Sequence, residues 1–197
     1  GGGGDDDGGG GGGGGGGGSG QARATVVMPS GAGKTVVGLR VVEALAREQG
    51  LRTALVLLPT LDLVSQTARE WSRWADGGAG GWERLAVCSK IDVEGLERTT
   101  RPDEIAEFLR GSEDGRARVL FCTYHSWGRV AQAQALLAPS RPALDLVICD
   151  EAHRTAGRAS KGFSRPLFDS DLNATRRLFL TATPRLYDAR QSLRKRR

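Results

Sequence analysis

Short apolar runs alternate with segments of helical periodicity along most of this 197-residue chain. The apolar runs predict six strands, at residues 24–28, 53–58, 84–88, 118–123, 145–149 and 177–180. Apolar positions at helical spacing predict helices over 34–49, from 61 through 71, over 102–111 and near 130–138. Strands that alternate with crossover helices indicate an α/β fold with a doubly wound parallel sheet, whose ligands gather at the carboxyl ends of the strands.

The first predicted helix is apolar on nearly all sides. Arg40, Glu43 and Arg47 form one narrow polar stripe, so we expect the rest of the helix to lie against the sheet. Gly50 follows this helix directly. It is placed to end the helix, because glycine adopts the left-handed conformation of a helix C-terminus without strain.

The two ends of the chain differ from the rest in composition. Residues 1–20 are glycine apart from three aspartates and one serine, so they have no apolar side chain to bury and predict a disordered tail. The formal net charge is +5, and all of it falls in residues 185–197, where six basic residues accompany one acidic residue. We therefore expect one domain over 21–187 and a basic tail over 188–197, which either contacts nucleic-acid phosphates or is a solvated terminus.

Three cysteines, Cys88, Cys122 and Cys149, lie in strand-like apolar runs without CxxC spacing. This pattern predicts buried, reduced thiols rather than metal ligands or disulfides, and it favours a cytoplasmic protein. No stretch approaches the roughly 20 apolar residues of a membrane span, and no signal-peptide pattern precedes the first strand. A membrane partner is therefore not expected.

The strongest local pattern lies between the first strand and the first helix, where residues 28–35 read MPSGAGKT. Binding a triphosphate requires inward-pointing backbone N–H groups, a helix N-terminus, a cation for the outer phosphates and a hydroxyl for Mg²⁺, and this segment offers all four. The residues predicted to bind the nucleotide are Ser30, Gly31, Ala32, Gly33, Lys34 and Thr35. The general pattern begins with glycine where this chain has Met28. The alternative is a glycine turn that precedes Lys-Thr by chance.

A second pattern ends the fifth predicted strand, where residues 146–153 read LVICDEAH. An apolar strand that ends in two adjacent carboxylates places Asp150 at the edge of the sheet, where it can hold the Mg²⁺ shell. Glu151 follows one residue further on, suited to polarise an attacking water. By itself such a strand end can be a solvated turn. Together with the phosphate-loop pattern it predicts a site for ATP and Mg²⁺.

The motifs, taken in order, resemble those of the N-terminal RecA-like ATP-binding lobe of superfamily-two helicases. Residues 30–35 resemble motif I, residues 150–153 (DEAH) resemble motif II of the DEAH-box type, and residues 181–184 (TATP) resemble motif III. Residues 59–66 (PTLDLVSQ) are similar to motif Ia, and residues 123–126 (TYHS) resemble the segment after the fourth strand of the group. The resemblance implies a single RecA-like P-loop lobe.

One stretch narrows the resemblance further. The sequence of residues 148–157 most resembles the branch related to the motor subunits of type I and type III restriction enzymes and to UvrB. This branch favours DNA over RNA as the partner. The resemblance as a whole covers about residues 25–187.

The resemblance implies a role for each matching residue. Lys34 and Thr35 would bind phosphate and Mg²⁺, Asp150 would hold the metal, and Glu151 would be the general base. The residues implied to couple the nucleotide site to the nucleic-acid face are His153, Thr181 and Thr183. For these three the plain alternatives are a structural histidine and a hydroxyl-capped turn.

The resemblance also implies a nucleic-acid face. The residues implied to grip a single strand by its phosphates, without reading its bases, are Pro59, Thr60 and Thr123. Tyr124 and Trp127 could stack on bases, although lone aromatics after a strand more often belong to the core.

Two classes of function remain open at this stage. Members of this group complete their site with an arginine finger from a second lobe, and the residues after Pro184 are too few to supply one. The chain is therefore either the ATPase lobe of a helicase or translocase that works with a second lobe, or a truncated fragment that binds ATP and nucleic acid without turnover.

Overall fold

The computed structural model describes residues 22–75, 81–91, 93–111, 116–137, 144–151 and 171–182, and within these residues the chain forms seven strands and four helices. The strands are β1 (Ala22–Val27), β2 (Thr53–Leu58), β3 (Trp82–Val87), β4 (Glu97–Thr99), β5 (Ala117–Thr123), β6 (Leu144–Asp150) and β7 (Ala174–Thr181). The helices are α1 (Lys34–Gln49), α2 (Leu61–Trp74), α3 (Pro102–Arg110) and α4 (Trp127–Ala135). The predicted tails at 1–20 and 188–197 lie outside the described residues.

The seven strands form one sheet in the order β1-β7-β6-β2-β5-β3-β4, and each described strand pair is parallel. Because β2 lies at the centre of this order, the chain winds outward in both directions from the middle of the sheet. The predicted α/β class with a doubly wound parallel sheet is confirmed.

Helices cover both faces of the sheet. Residues of α1 and α2 share one buried cluster with Val56 and Leu58, and residues of α3 and α4 share a second cluster with Leu55 and Leu57. This division follows from the period of two along a strand, which sends alternate side chains to opposite faces. All six residues of β2 are buried, as expected for a central strand of a parallel sheet.

Some element boundaries differ from the prediction. Strand β4 was not predicted, because its sequence Glu-Arg-Thr has no apolar run. Strand β7 begins at Ala174 rather than at residue 177, because Arg176 and Arg177 interrupt the apolar pattern there. The Arg177 side chain is nevertheless buried, and its guanidinium donates a hydrogen bond to the Leu172 carbonyl. Helix α4 begins at Trp127, earlier than predicted.

Helix α1 has the predicted length and ends at Gly50, whose φ of 64° lies in the left-handed region. The predicted polar stripe is wrong at Glu43, because this side chain is buried. Its carboxylate accepts a hydrogen bond from Arg40 at 2.6 Å, and the Arg40 side chain is about half exposed. The buried carboxylate is thus paired, which is how a charged group is tolerated next to a sheet.

The cysteines are free and buried, as predicted. Burial raises the pKa of the Cys88 thiol, raises the pKa of Cys122 well above its ordinary value, and raises the pKa of Cys149 to about 12. For Cys149 the smaller effects of Arg177 and Tyr124 act in the opposite direction. Such thiols are protonated and inert at neutral pH.

Two polar contacts hold the amino-terminal side of the sheet. The Asp145 carboxylate accepts hydrogen bonds from the backbone N–H groups of Arg52 and Thr53 at 2.7 and 2.9 Å, which ties the start of β2 to β6. The buried Arg118 guanidinium donates to the Glu83 carboxylate at 2.8 Å.

Within the described part of the chain, no helix is both long and apolar enough to cross a membrane.

Candidate functional site

The loop between β1 and α1 has the backbone that a phosphate-binding turn requires. Gly31 and Gly33 have φ values of 79° and 90°, in the left-handed region that side-chain-bearing residues rarely adopt. A Cβ atom added at either glycine would contact nothing within 4 Å. The glycines are therefore required by backbone conformation rather than by crowding, and the surface of the loop is open to a ligand.

Lys34 is the first residue of α1, directly after this loop. Its side chain is only 8% exposed, and its ammonium lies 3.2 Å from Oε1 of Glu151. The same ammonium also approaches the Met28 carbonyl, at 3.5 Å. The structure thus brings the loop lysine to the carboxylate pair at the end of β6, although 117 positions of sequence number separate Lys34 from Glu151.

The carboxylate pair has a constrained backbone. Asp150 is the last residue of β6 and is buried. Its Oδ1 accepts a hydrogen bond from the Glu151 N–H at 2.9 Å. Glu151 has a φ of 51°, a left-handed conformation that costs a residue with a Cβ roughly 1–2 kcal/mol. The Asp150 carbonyl accepts a hydrogen bond from the Tyr124 hydroxyl at 2.9 Å.

Three strand ends meet at this edge of the sheet. Val27 of β1 is paired with Thr181 of β7, and Leu180 of β7 is paired with Asp150 of β6. The Met28 N–H donates to the Thr181 carbonyl at 3.0 Å, which continues the ladder into the loop. The strands that lead into the segments resembling motifs I, II and III are therefore adjacent in the sheet.

Thr35 lies in the first turn of α1, beside Lys34. Its carbonyl accepts a hydrogen bond from the indole N–H of Trp71 at 3.0 Å. Trp71 is buried on α2, where its ring makes edge contacts with Trp82 and Phe121 at centroid distances of 5.9 and 5.4 Å. The first turn of α1 is thus fixed to the helix that follows β2.

The segments predicted to face nucleic acid also come together. Pro59 and Thr60 follow β2, Thr123 ends β5, and Leu58 is paired with Thr123 across the two strands. Thr60 is exposed and caps α2, because its hydroxyl accepts the Leu63 N–H at 3.3 Å. Thr123 is buried. Because β2 is the neighbour of β6 in the sheet, this pair lies beside the carboxylate pair on the same edge.

The remaining predicted site residues divide into two groups. His153 and Thr183 lie outside the described residues, so their predicted coupling roles stay predictions. The Tyr124 side chain is 2% exposed, and Trp127 is partly buried against the cluster that contains α3 and α4. The core alternative is therefore confirmed for Tyr124, whose ring is not free to stack on a base.

Two contacts of this region had no signal in the sequence. The Trp71 indole on Thr35 and the Tyr124 hydroxyl on Asp150 join residues 36 and 26 positions apart. The apolar periodicity of α2 identifies Trp71 as a buried position, but it does not indicate where the indole N–H finds its acceptor.

The donor set fits a magnesium-bound polyphosphate. An open glycine loop, an ammonium, a hydroxyl residue and two carboxylates lie at one edge of the sheet. Among the described residues, no group of three or more His, Cys, Asp or Glu side chains could hold a metal ion. Magnesium characteristically binds through one or two carboxylates together with substrate phosphates, so this sparse set suits it.

Comparison with protein families matches residues 16–186 to the family described as "Type III restriction enzyme, res subunit". Among the curated proteins searched, none matches the chain. Two solved type ISP restriction-modification enzymes are similar in structure. A nuclease-deletion mutant of LlaGI in complex with a DNA substrate mimic is 28% identical with a TM-score of 0.67, and the match covers 84% of this chain and 16% of that one. The ATP-dependent enzyme LlaBIII bound to DNA is 28% identical with a TM-score of 0.68, and the match covers 82% of this chain and 11% of that one.

A third structure is similar in fold. The helicase domain of Hef from Pyrococcus furiosus is 22% identical, with a TM-score of 0.56, and the match covers 85% of this chain and 31% of that one. This chain therefore spans less than a third of the length of each of the three solved proteins. The family match, which covers most of the chain, and the shared fold show that the chain belongs to the type III restriction enzyme res subunit family, as an N-terminal RecA-like lobe of the superfamily-two helicase kind.

Proposed function

We propose that this lobe binds ATP with Mg²⁺ at the carboxyl edge of the sheet and is part of an ATP-driven motor that acts on DNA. The observation that supports this most directly is the 3.2 Å approach of the Lys34 ammonium to the Glu151 carboxylate beside an open glycine loop. DNA is favoured over RNA because the two type ISP enzymes are described with DNA, and because the sequence of residues 148–157 resembles the branch of type I and type III restriction-enzyme motor subunits and UvrB.

In this proposal each described residue has one task at the nucleotide. The backbone of residues 30–33 cradles phosphate oxygens, and Lys34 neutralises the outer phosphates. The Thr35 hydroxyl and the Asp150 carboxylate hold Mg²⁺, which when bound neutralises charge that develops on the transferred phosphoryl group. Glu151 accepts a proton from the attacking water, and its place next to Lys34 keeps it within the site.

The proposal assigns the neighbouring strand ends to nucleic acid. Pro59 and Thr60 would grip the phosphates of a single strand, through the N-terminus of α2 and the exposed Thr60 hydroxyl. Thr123 is buried and its hydroxyl donates to Ser126, so its proposed part in this face is to hold the turn after β5 beside Pro59 and Thr60. Thr181 would couple this face to the nucleotide, supported by its place between β1 and β6. His153 and Thr183 are proposed for the same role on the family resemblance alone.

Binding of Mg²⁺-ATP by the purified chain tests the nucleotide site. We expect Lys34→Ala to weaken binding of a fluorescent ATP analogue about 10- to 100-fold, because it removes charge-assisted hydrogen bonds to phosphate. Lys90→Ala is the matched control, since Lys90 is exposed just beyond the end of β3, at a distance of three strands from β6. Equal affinity of the wild type and Lys34→Ala would contradict the proposal.

The alternative function is that these residues bind ATP without turning it over by themselves; they span 16% and 11% of the two solved restriction enzymes. In the group that the chain resembles, a second lobe supplies the arginine that completes hydrolysis, which can be worth about 10³ or more in rate. Phosphate release with and without single-stranded DNA distinguishes the two functions. Sustained, DNA-stimulated release by the chain alone would contradict the alternative.

A further inference from the structure

Tyr124 reaches from the proposed nucleic-acid face to the proposed nucleotide site. Its backbone follows Thr123 at the end of β5, and its side chain lies in the buried cluster that contains α3 and α4 and reaches the end of β6. There its hydroxyl donates to the Asp150 carbonyl at 2.9 Å. The side chain is 2% exposed, so this hydrogen bond is protected from competing water.

The acceptor of this bond belongs to the peptide group that orients Glu151. The carbonyl of that peptide is held by Tyr124, and its N–H is held by Oδ1 of Asp150 at 2.9 Å. Glu151 has a φ of 51°, which a residue with a side chain adopts only when its surroundings impose it. The Tyr124 hydroxyl and the Asp150 carboxylate hold the two polar groups of the peptide that precedes this φ angle.

The backbone of Tyr124 is tied to both segments proposed to grip a strand. Its N–H donates to the Leu58 carbonyl at 3.0 Å, directly before Pro59. The preceding carbonyl, that of Thr123, accepts the Ser126 N–H at 2.9 Å and closes the turn. A strand that binds at these segments therefore contacts the turn from which the tyrosine ring projects.

We infer that Tyr124 is a positioning residue that couples nucleic-acid binding to the geometry of Glu151; this inference rests on the proposed function. A shift of the turn after β5 moves the Tyr124 hydroxyl relative to the Asp150 carbonyl. That movement rotates the peptide of Glu151 and changes the 3.2 Å distance between its carboxylate and Lys34. Because coupling is reciprocal, nucleotide at Lys34 also changes the affinity for the strand.

Tyr124→Phe tests the inference, since it removes one oxygen and keeps the ring. The measured quantity is the factor by which oligo-deoxythymidylate changes the affinity of the full chain for a fluorescent ATP analogue with Mg²⁺. We expect a wild-type factor within about 5 to 150 and a roughly fivefold smaller one in Tyr124→Phe, which is the size of one hydrogen bond. Each ligand alone should bind both proteins within about twofold.

Thr99→Val is the control for the loss of a buried hydroxyl. Thr99 ends β4, the outermost strand of the sheet and four places from β6 in the strand order. Its buried hydroxyl donates to Glu104 and accepts the Arg101 N–H. This variant should be less stable than the wild type, but the oligonucleotide should change its affinity for the ATP analogue by the same factor as in the wild type. An unchanged factor in Tyr124→Phe overturns the inference. So does a wild-type chain that binds nucleotide without any response to the oligonucleotide, and in that case the nucleotide site stands.

Hydrogen exchange on the wild type gives a second reading that does not depend on the folding of a variant. The Glu151 amide donates to Asp150, so oligonucleotide added without nucleotide should change its exchange rate by about fivefold or more. No change at this amide, in a chain whose Thr123 region becomes protected, contradicts the inference. A chain that binds no nucleotide at all contradicts the proposed function instead.

Discussion

Glu151→Gln should increase the affinity of the chain for ATP, although the proposed function makes Glu151 the general base. The Glu151 carboxylate lies 3.2 Å from the Lys34 ammonium. A polyphosphate that recruits Lys34 must replace this partner, and the carboxylate also repels the phosphate charge. Glutamine removes both opposing effects while it keeps an oxygen that can accept a hydrogen bond from Lys34.

The structure sets the size of this effect. Two unit charges about 4 Å apart attract by about 4 kcal/mol at an effective dielectric constant of 20, before the loss of hydration is counted. Lys34 is 8% exposed and Glu151 is 20% exposed, so hydration opposes most of that attraction. We take about 1 kcal/mol as the net value, the upper end for exposed pairs. This corresponds to a roughly fivefold lower Kd.

Titration with a non-hydrolysable ATP analogue and Mg²⁺ at low ionic strength measures this difference without interference from turnover. Glu107→Gln is the matched control, because Glu107 is exposed on α3 and carries the same charge. The control should leave the Kd unchanged. Equal or weaker binding by Glu151→Gln would refute the reasoning that Glu151 competes with the nucleotide for Lys34.

Three further predictions concern stability and are read from urea unfolding. Gly111→Ala should destabilise the fold by about 2–3 kcal/mol, because its φ of 72° and ψ of 172° lie in a region that only glycine adopts readily, and because a Cβ there would displace the guanidinium of Arg118, which Glu83 holds in place. Gly50→Ala, at a φ of 64° and a ψ of 34° with open space around it, should cost only about 1 kcal/mol. Equal losses would contradict this reasoning. Asp145→Ala should cost about 2 kcal/mol, since the amides of Arg52 and Thr53 lose their acceptor. A loss below about 0.5 kcal/mol would contradict this. The pKa of Cys149 is raised to about 12 in the folded protein, so the contribution of this thiol to the free energy of unfolding is fully present below the ordinary thiol pKa and is lost as the pH rises toward 12. A Cys149→Ala variant should therefore lose less stability than the wild type over that pH interval. An identical pH dependence of the two proteins would contradict the raised pKa.

The central part of the fold could be predicted from the sequence because its physical cause is local. Strand β2 lies in the middle of the sheet and is buried on both faces, so it appears as a continuous apolar run. Gly50 ends α1 because a glycine directly after a helix adopts the left-handed conformation of the C-terminus without strain. Strand β4 could not be predicted, because its three residues lie on the outermost strand and pair only with β3. Such a strand can be exposed on one face, so its sequence does not need a continuous apolar run.

Part of the candidate site could be predicted from the sequence and part could not. The loop glycines, Lys34 and the Asp150-Glu151 pair are visible in the sequence because phosphate and magnesium require those residue types at that spacing. The supporting contact from Tyr124 is not visible, because it depends on how strands that are distant in sequence are placed side by side. The left-handed φ of Glu151 is hidden for the same reason, since nothing in the residue type favours it.

Glu43 shows why a polar pattern on a helix can mislead. The spacing of Arg40, Glu43 and Arg47 predicts a polar stripe on the side of α1 that does not lie against the sheet, yet Glu43 is buried and paired with Arg40. The long arginine side chain extends to solvent while its guanidinium meets the carboxylate at the border of the core. The sequence pattern records which residues are polar, but it does not record how far the neighbouring elements cover them.

A crystal structure of the chain with Mg²⁺ and a non-hydrolysable ATP analogue would test the central claim most directly. We expect the Lys34 ammonium to leave Glu151 and contact the outer phosphates, with the metal ion between the Thr35 hydroxyl and the Asp150 carboxylate. A nucleotide bound elsewhere on the fold, with Lys34 still paired to Glu151, would contradict the account.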